Sequence, residues 1–467
     1  MTNSQSSIPA ILRAVCFGVA ILFLSGFCFG KTAISLSTTV GPPTTKVHVS
    51  GSGFAPSVKI DIYFDNKDVG LASANRSGSF SKVTISVPTM AQPGNHTVKA
   101  VERQGTANAT ATFLVRTDWA QFHRSNMQRW NQYENALNVN NVGRLQLMWS
   151  LNVSTSTDSP AVSGGIVYVG TGGREIGYVY ALDAATGVQK WTYGNSHGFP
   201  SPPAVANGIV YIGNNPQGGP DDALYAINAT TGSLDWACCG MGQPVYSAPT
   251  VVNSVVYFID VDLGLVYALD AATGSTKWTY ETTDAIGSQS SPAVINGVVY
   301  VGSNDQNLYA LNATTGDKIW SYTTGGQIAS SPAVANGIVY VGSDNVYALD
   351  ATTGALLWLA PIESGSSPAI ANGVVYIGSY DGSVYALNAS TGDKLWSYTT
   401  RGQVQSSPAV ANGVVYVGSD QLYALKASTG AKLWSYNISR PASPIVANGV
   451  VYVTDWGTGY VYAFGLK

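Results

Sequence analysis

Residues Ser406 to Tyr436 have the sequence SSPAVANGVVYVGSDQLYALKASTGAKLWSY, and this stretch decides the fold. It contains four short apolar runs, SPAVA, VVYVG, LYALK and AKLWSY, separated by turn-forming residues. The pair Asn412-Gly413 supplies the positive φ angles that a type I′ hairpin turn requires. Gly430 lets the chain turn before the fourth run, because glycine adopts left-handed conformations freely. The stretch therefore predicts one unit of four antiparallel strands.

This unit is repeated along the chain. Its end, an eleven-residue string such as ALDAATGVQKW, occurs seven times, and an eighth tryptophan stands alone in RLQLMWSL ahead of the array. The eight tryptophans are Trp149, Trp191, Trp236, Trp278, Trp320, Trp358, Trp396 and Trp434. Their successive spacings are 42, 45, 42, 42, 38, 38 and 38 residues. Four strands in about 40 residues are typical of a β-propeller blade.

The number of strands predicts how the array closes. Eight segments begin with a proline-bearing innermost strand, and the last one ends at Lys467 without a tryptophan strand. The strand of Trp149 is left over at the front. We therefore predict an all-β, eight-bladed propeller in which the Trp149 strand completes the last blade, so that both chain ends close the ring. The alternative is an open solenoid, which usually has polar capping repeats, and none is visible in the sequence.

The string A-x-D-x-x-T-G-x-x-x-W resembles the tryptophan-docking motif of the PQQ-type eight-bladed propellers, which bind pyrroloquinoline quinone (PQQ) in some members. This family includes the quinoprotein alcohol dehydrogenases and the BamB-like outer-membrane assembly lipoproteins. The segment from Asp118 to Trp149 is similar to the one that precedes the first blade in the quinoproteins. The resemblance implies the fold but no particular chemistry, because one fold supports many functions. We expect the eight tryptophans to be structural and to pack between blades.

The sequence predicts four parts: a signal peptide (1–30), a small immunoglobulin-like β-sandwich (31–116), a lead-in segment (117–148) and the propeller (149–467). Arg13 followed by AVCFGVAILFLSGFCFG favours a cleaved secretion signal over an uncleaved membrane anchor. We therefore expect a secreted or periplasmic protein, with membrane contact only through this segment if it is not cleaved. Runs such as KVHVSGSGF and VKIDIYFD between Gly, Asn and Pro turns predict the sandwich, and GSGFAP resembles the opening of bacterial Ig-like modules.

Composition limits the partners. The formal net charge of −3 offers no basic footprint, so we expect no nucleic-acid partner. The Asn-Gly turns and the Ala-Thr-Thr-Gly tips share one face of the propeller and hardly vary among repeats. The loops of the opposite face, here called the divergent face, differ most in the first three blades. We expect binding there, because variable loops on a rigid scaffold often carry function.

Cys238 and Cys239 lie in one of these divergent loops, and an exported protein is expected to oxidise them. Adjacent α-carbons are ~3.8 Å apart, below the usual span of a bridge, so a disulfide between them would be strained and comparatively reducible. In the quinoprotein alcohol dehydrogenases that the chain resembles, such a pair packs against PQQ. The residues that follow, Gly240, Met241 and Gly242, do not match that family. A chance pair and a purely structural bridge are the other interpretations.

Other signals of chemistry are weak. Asp260 and Asp262 form a local acidic pair that suits calcium, but an exposed loop explains them equally well. The guanidinium groups of the propeller, which the carboxylates of PQQ would need, come from Arg144, Arg174, Arg401 and Arg440. No catalytic residue can be assigned. The sequence therefore favours a non-catalytic platform without a cofactor, which binds a protein, peptide or cell-envelope component, with BamB-like envelope assembly as a special case. The alternative is a PQQ- and calcium-dependent alcohol dehydrogenase with the cysteine pair against the cofactor.

Overall fold

The computed structural model describes residues 31–124, 126–153, 158–172, 176–215, 223–239, 244–260, 263–282 and 289–467. The predicted signal peptide (1–30) lies outside these residues. Within them the fold is all-β, as predicted, and the one helical element is a 3-10 turn, Val142–Arg144. None of the described residues belongs to a helix long and apolar enough to cross a membrane. The described chain forms two compact units, and the larger one contains residues 112–467.

The N-terminal strands form two sheets. They are β1 (Ala33–Leu36), β2 (Val40–Gly41), β3 (Lys46–Ser52), β4 (Lys59–Phe64), β5 (Lys67–Ser73), β6 (Phe80–Ser86), β7 (Gly94–Glu102) and β8 (Asn108–Val115). The strand orders are β1-β3-β6 and β2-β8-β7-β4-β5. Every second residue of β4, namely Ile60, Ile62 and Phe64, is buried, as expected for strands with one face on a core. The predicted boundaries and the immunoglobulin-like class stay predictions.

The remaining chain forms a series of four-stranded antiparallel sheets, which we number as blades in chain order. Blades 1 to 4 consist of β11 (Ala161–Ser163), β12 (Ile166–Gly170), β13 (Gly177–Asp183) and β14 (Gln189–Asn195); β15 (Ala204–Ala206), β16 (Ile209–Gly213), β17 (Leu224–Asn228) and β18 (Leu234–Cys238); β19 (Thr250–Val252), β20 (Val255–Ile259), β21 (Leu265–Asp270) and β22 (Thr276–Glu281); and β23 (Ala293–Ile295), β24 (Val298–Gly302), β25 (Asn307–Asn312) and β26 (Lys318–Thr323). In each blade the proline-bearing strand is first and the tryptophan strand last.

The later blades repeat this order. Blades 5 to 7 consist of β27 (Ala333–Ala335), β28 (Ile338–Gly342), β29 (Val346–Asp350) and β30 (Leu356–Ala360); β31 (Ala369–Ala371), β32 (Val374–Gly378), β33 (Ser383–Asn388) and β34 (Lys394–Thr399); and β35 (Ala409–Ala411), β36 (Val414–Gly418), β37 (Leu422–Lys426) and β38 (Lys432–Tyr436). Blade 8 has β39 (Ile445–Ala447), β40 (Val450–Thr454), β41 (Tyr460–Gly465) and, as its outer strand, β10 (Gln146–Asn152). A two-residue strand, β9 (Trp130–Asn131), adds to β35 in parallel.

The two ends of the array meet in blade 8. β10 pairs antiparallel with β41, and Trp149 lies opposite Ala463. The leftover strand ahead of the array therefore completes the last sheet, as the strand count predicts. Blades 8 and 1 also share a buried cluster that includes Val446 and Val162. Packing between the last and first blades thus closes the series of sheets.

Neighbouring blades are joined by repeated contacts of the tryptophans. The indole Nε1 donates to a backbone carbonyl of the next blade at 2.8–3.2 Å, in the pairs Trp149–Ala184, Trp191–Ala229, Trp236–Ala271, Trp278–Ala313, Trp320–Ala351, Trp358–Ala389 and Trp396–Ala427. The ring covers the left-handed glycine of the next tip turn, so that a Cβ added at Gly187 would lie 2.7 Å from Trp149. These contacts favour the structural role that we expect for the tryptophans.

The junction between blades 7 and 8 departs from this pattern. There the indole Nε1 of Trp434 donates to the backbone carbonyl of Leu145, at 3.1 Å. Leu145 lies in the segment just ahead of β10, whereas the acceptors of the other tryptophans lie in tip turns. In the other blades a tyrosine of the second strand donates to the same alanine carbonyl, as Tyr340 does to Ala389 at 3.0 Å. The corresponding Tyr416 hydroxyl is fully buried and has no hydrogen-bond partner among the described residues. Burial raises the pKa of Tyr416 well above its ordinary value.

Candidate functional site

The lead-in segment occupies one end of the propeller channel. Trp119 exchanges two backbone hydrogen bonds with Val162 of β11, at 2.7 and 3.0 Å. Further along the ring of innermost strands, backbone N–H groups donate to carbonyls of the segment in the pairs Val205–Ala120, Val334–Met127, Ile370–Gln128 and Val410–Arg129. We call the segment Trp119–Asn131 the plug. Within it, Ser125 lies outside the described residues. It satisfies N–H groups that would otherwise face the channel unpaired.

The plug lies at the end of the channel that carries the Asn-Gly turns. Thr117 donates its backbone N–H to the side chain of Asn448 at 2.7 Å, and Asn448 Nδ2 donates to Asp118 at 2.8 Å. Asn448 belongs to the Asn-Gly turn of blade 8. The residues immediately ahead of the plug are thus tied to the face of the propeller that carries the Asn-Gly turns. Sequence reasoning identified this stretch only as a lead-in.

Arg129 fastens the plug to blades 7 and 8. Its side chain is fully buried and donates to the carbonyls of Phe122, Ser407, Pro408 and Pro444 at 2.8–3.2 Å. The guanidinium carbon also lies 4.3 Å from the centroid of the Phe122 ring, within cation–π distance. Burial lowers the pKa of Arg129 to about 9, so the group is still charged at neutral pH. Arg129 is thus an internal anchor and not a ligand-binding cation.

His123, which the sequence presents as an isolated histidine, is buried in the same segment. Its Nε2 lies 3.3 Å from the carbonyl oxygen of Ser291. Burial lowers the pKa of His123 to about 3, so the imidazole is neutral at neutral pH. Among the described residues no group of three or more His, Cys, Asp or Glu side chains could hold a metal ion. His123 therefore belongs to the plug and not to a metal site.

Buried serines link the innermost strands beyond the plug. The serine before the proline of one blade accepts a hydrogen bond from the backbone N–H of the corresponding serine in the preceding blade. These bonds, of 2.8–3.0 Å, run from Ser291 to Ser331, Ser367, Ser407 and Ser443 in turn. The hydroxyls of blades 5 to 8 thus serve adjacent blades.

The cysteine pair forms the expected disulfide. Cys238 and Cys239 are bonded to each other at the end of β18, and Cys239 has a φ of +69°. Both side chains are half-buried and pack against a hydrophobic cluster that contains Val245 and Phe258. The next residues, 240–243, lie outside the described residues. These contacts favour the structural-bridge interpretation, although they leave the cofactor-binding one untested.

The acidic pair is not what the sequence indicated. Asp260 is fully buried, and its Oδ1 accepts a hydrogen bond from the backbone N–H of Leu263 at 3.0 Å. The exposed-loop interpretation is therefore wrong for Asp260, because its carboxylate holds a turn from inside. Asp262, the other member of the pair, lies outside the described residues.

Most of the chain matches one family. Residues 138–242, 177–345, 324–407 and 401–465 match the family described as outer membrane protein assembly factor BamB. The chain belongs to this family of PQQ-type propellers. The resemblance stated from the tryptophan motif is thereby confirmed. No curated protein matches the chain significantly.

Solved structures with this propeller fold come from proteins of different function. BamB from Moraxella catarrhalis shares 21% identity, with 69% of this chain and 99% of that chain covered and a TM-score of 0.59. A europium-containing methanol dehydrogenase shares 16% identity, with 75% and 98% covered and a TM-score of 0.63. The quinohemoprotein alcohol dehydrogenase from Comamonas testosteroni shares 19% identity, with 74% and 80% covered and a TM-score of 0.62. Similarity at these levels shows the fold alone.

A PQQ-type propeller that uses its quinone needs cations for the carboxylates of PQQ and hard oxygen ligands for the metal. The arginines named from the sequence do not supply the cations together. Arg144 lies in the 3-10 turn, Arg440 stacks on Trp456, and only the backbone N–H of Arg401 is hydrogen-bonded, to Asp420. Arg174 lies outside the described residues. The described part of the chain thus shows no shared site of these arginines for the carboxylates of PQQ, and no group of three or more His, Cys, Asp or Glu there could hold a metal ion.

The turn carboxylates of blades 4 to 7 are also used within the propeller. Each accepts a hydrogen bond from a tyrosine hydroxyl of its own blade, at 2.6–3.0 Å, in the pairs Asp305–Tyr309, Asp344–Tyr347, Asp381–Tyr385 and Asp420–Tyr423. They hold turns on the divergent face, as expected for aspartates in such positions. The divergent face is thus rigid where the loops are short.

Proposed function

We propose that this propeller is a non-catalytic platform whose divergent face binds a protein, peptide or cell-envelope partner. The observation that carries the proposal is the plug, whose backbone pairs with the innermost strands and whose preceding residues bond to the Asn-Gly turn of blade 8, so that the divergent loops are the variable surface left for a partner. The buried serines and the tyrosine-bonded aspartates support it, because both sets of polar groups already hold the scaffold together: the serines join adjacent blades, and the aspartates fix turns within their own blade. A rigid scaffold with variable loops suits recognition.

We further propose a BamB-like role at the cell envelope, in a protein that residues 1–30 direct to the periplasm or the exterior. The family description, an outer membrane assembly factor, supports this proposal, as does the 99% coverage of the Moraxella BamB chain. The partner would contact the loops of blades 1 to 3, where the sequence varies most. The immunoglobulin-like module (31–116) would act as a spacer or adhesive part.

Site-specific photo-crosslinking tests the platform. A photoreactive amino acid is placed at Ile176 or Tyr178, which are exposed in the divergent loop of blade 1, and, as a control, at Asn336 in the Asn-Gly turn of blade 5. In whole cells that express the full chain, we expect discrete crosslinks from the first two positions and none from the third. Equal crosslinking from both faces, or none from the divergent face, would contradict the proposal.

The alternative, a PQQ- and calcium-dependent alcohol dehydrogenase, keeps one observation in its favour: the disulfide of adjacent cysteines on the divergent side of blade 2. It is tested by incubating the purified protein with PQQ and calcium, removing unbound quinone, and measuring quinone absorbance and dye-linked alcohol oxidation. Saturable binding that is lost in the Cys238→Ala, Cys239→Ala variant would replace the platform by the enzyme. We expect neither binding nor oxidation.

A further inference from the structure

The turn between β40 and β41 carries an unusual residue. Trp456 is one of three tryptophans outside the eight repeated positions. The other two, Trp119 and Trp130, belong to the plug. Trp456 is 55% exposed at the tip of a turn on the divergent face. Corresponding turns of blades 4 to 7 have no tryptophan.

This turn is held rigidly from below. The buried carboxylate of Asp455 accepts hydrogen bonds from the backbone N–H groups of Gly457 and Thr458, at 2.8 and 3.3 Å, and from the hydroxyl of Ser439, at 3.0 Å. The backbone N–H of Trp456 donates to the carbonyl of Arg440 at 2.9 Å. The indole is therefore preorganised, and little conformational entropy is lost when a ligand covers it.

Arg440 lies against one face of this indole. Its guanidinium carbon is 5.7 Å from the centroid of the Trp456 ring. Within the described part of the chain, no carboxylate lies within 4.0 Å of this guanidinium. The two residues Arg440 and Trp456 form what we call the blade 8 patch: an exposed flat indole beside a cation that has no carboxylate partner among the described residues.

We propose that the blade 8 patch binds an acidic polysaccharide. The C–H face of a pyranose ring packs on the exposed indole of Trp456, and a uronic-acid carboxylate pairs with Arg440, whose guanidinium suits bidentate recognition of carboxylates. This inference rests on the proposed platform function and names one class of envelope component that the divergent face binds.

The composition of the patch favours a sugar over a peptide. A peptide that docks by its side chains uses an apolar pocket or a cluster of arginines, and one that docks by its backbone needs an open strand edge. Trp456 stands instead on a turn, beside the single guanidinium of Arg440. Single flat rings flanked by hydrogen-bonding groups match the alternating C–H and hydroxyl surfaces of a polysaccharide.

Calorimetry with defined oligomers tests the proposal. The probes are oligogalacturonate, alginate oligomers and hyaluronan oligomers, with methyl-esterified oligogalacturonate as the uncharged match and poly-glutamate as the acidic peptide. The variants are Trp456→Ala and Arg440→Gln. The matched control is Tyr380→Ala, an exposed aromatic in the corresponding turn of blade 6. Circular dichroism and thermal unfolding verify that each variant is folded.

We expect the wild-type chain to bind at least one acidic oligosaccharide. Trp456→Ala should weaken this binding at least about tenfold, because exposed tryptophans dominate such interfaces. Arg440→Gln should abolish the preference for oligogalacturonate over its methyl ester, and Tyr380→Ala should leave the affinity unchanged. No binding to any of the three acidic glycans, equal binding by Trp456→Ala, or equal binding of poly-glutamate would each overturn the inference.

These results are separate from the test of the platform. Crosslinks confined to the divergent face, together with no glycan binding, would keep the platform and reject the acidic polysaccharide. Saturable binding of PQQ would reject the platform whatever the glycan assay shows.

Discussion

Replacing Arg129 by methionine tests how the plug is held. Methionine keeps much of the apolar stem but removes the donors for the four carbonyl groups of Phe122, Ser407, Pro408 and Pro444. Each lost hydrogen bond to a charged group is worth about 1.5–3 kcal/mol. Relief from the burial of the guanidinium returns several kcal/mol. We therefore expect the free energy of unfolding to fall by about 3–5 kcal/mol, because the loss of the hydrogen bonds to four carbonyl groups exceeds the gain from no longer burying the guanidinium.

Arg124→Met is the matched control. Arg124 lies in the same segment and is also buried, at 5% exposure, but its Nε and Nη1 have no hydrogen-bond partner among the described residues. Burial lowers the pKa of Arg124 to about 10, and its guanidinium carbon lies 5.3 Å from the centroid of the Tyr133 ring. Removing this charge relieves desolvation without stranding as many acceptors. We expect Arg124→Met to change the stability by less than about 1 kcal/mol in either direction.

Guanidinium unfolding of both variants, followed by tryptophan fluorescence and far-UV circular dichroism, measures the difference. Coincident transitions are required before the midpoints are converted to free energies, because a chain with two units need not unfold in one step. A loss of stability in Arg124→Met equal to that in Arg129→Met would refute the reasoning, since burial alone and not the hydrogen bonds of Arg129 would then control stability.

Three further predictions concern single side chains. Tyr416→Phe should leave the stability almost unchanged, whereas Tyr340→Phe should cost about 1 kcal/mol, because only the Tyr340 hydroxyl donates a hydrogen bond; chemical unfolding of the pair decides this. Trp358→Ala should cost about 3–5 kcal/mol in the same assay, since the ring fills a blade junction. The pKa of His123 is lowered in the folded state, so the free energy of unfolding should fall as the pH drops from about 6.5 towards 3, by at most about 1.4 kcal/mol per pH unit. The variant His123→Gln should show a smaller dependence on pH. If the variant keeps the dependence of the wild type, other groups cause it.

The fold could be predicted because its signals are local and repeated. Each blade carries its own turn residues and its own four short apolar runs. The place of the Trp149 strand in the last sheet follows from the one strand missing at the other end of the array. The plug could not be predicted in this way. The stretch DWAQFHRSNMQRW has no strand or helix periodicity, and Arg129 finds its acceptors at residues 407, 408 and 444, far away in the sequence.

The candidate site was harder to predict, for two physical reasons. Proximity in sequence identified the disulfide of Cys238 and Cys239, but it could not distinguish a buried carboxylate from an exposed one, and neither of the two interpretations left open for Asp260 included its burial. For Trp456 the error would run the other way, because a tryptophan in a chain with eight structural tryptophans is expected to be buried between blades. Its exposure becomes visible only when the turn that Asp455 organises is seen in three dimensions.

The two faces of the propeller differ in how much their sequences vary, because the hydrogen bonds of their backbone and side-chain groups are made to different parts of the chain. Innermost strands next to the Asn-Gly turns bond to the plug, as Val205 does to Ala120 and Val410 does to Arg129, so these strands depend on a segment from outside the repeats. Turns of the divergent face bond within their own blade, as the pair Asp381–Tyr385 does at 2.6 Å, so the residue at a tip is free to change without loss of the scaffold. An exposed tryptophan can therefore occupy the tip of one blade while the neighbouring blades carry polar residues. A single repeated unit thus supplies both a conserved scaffold and a variable surface, and the surface is where a difference in function between members of this family would arise.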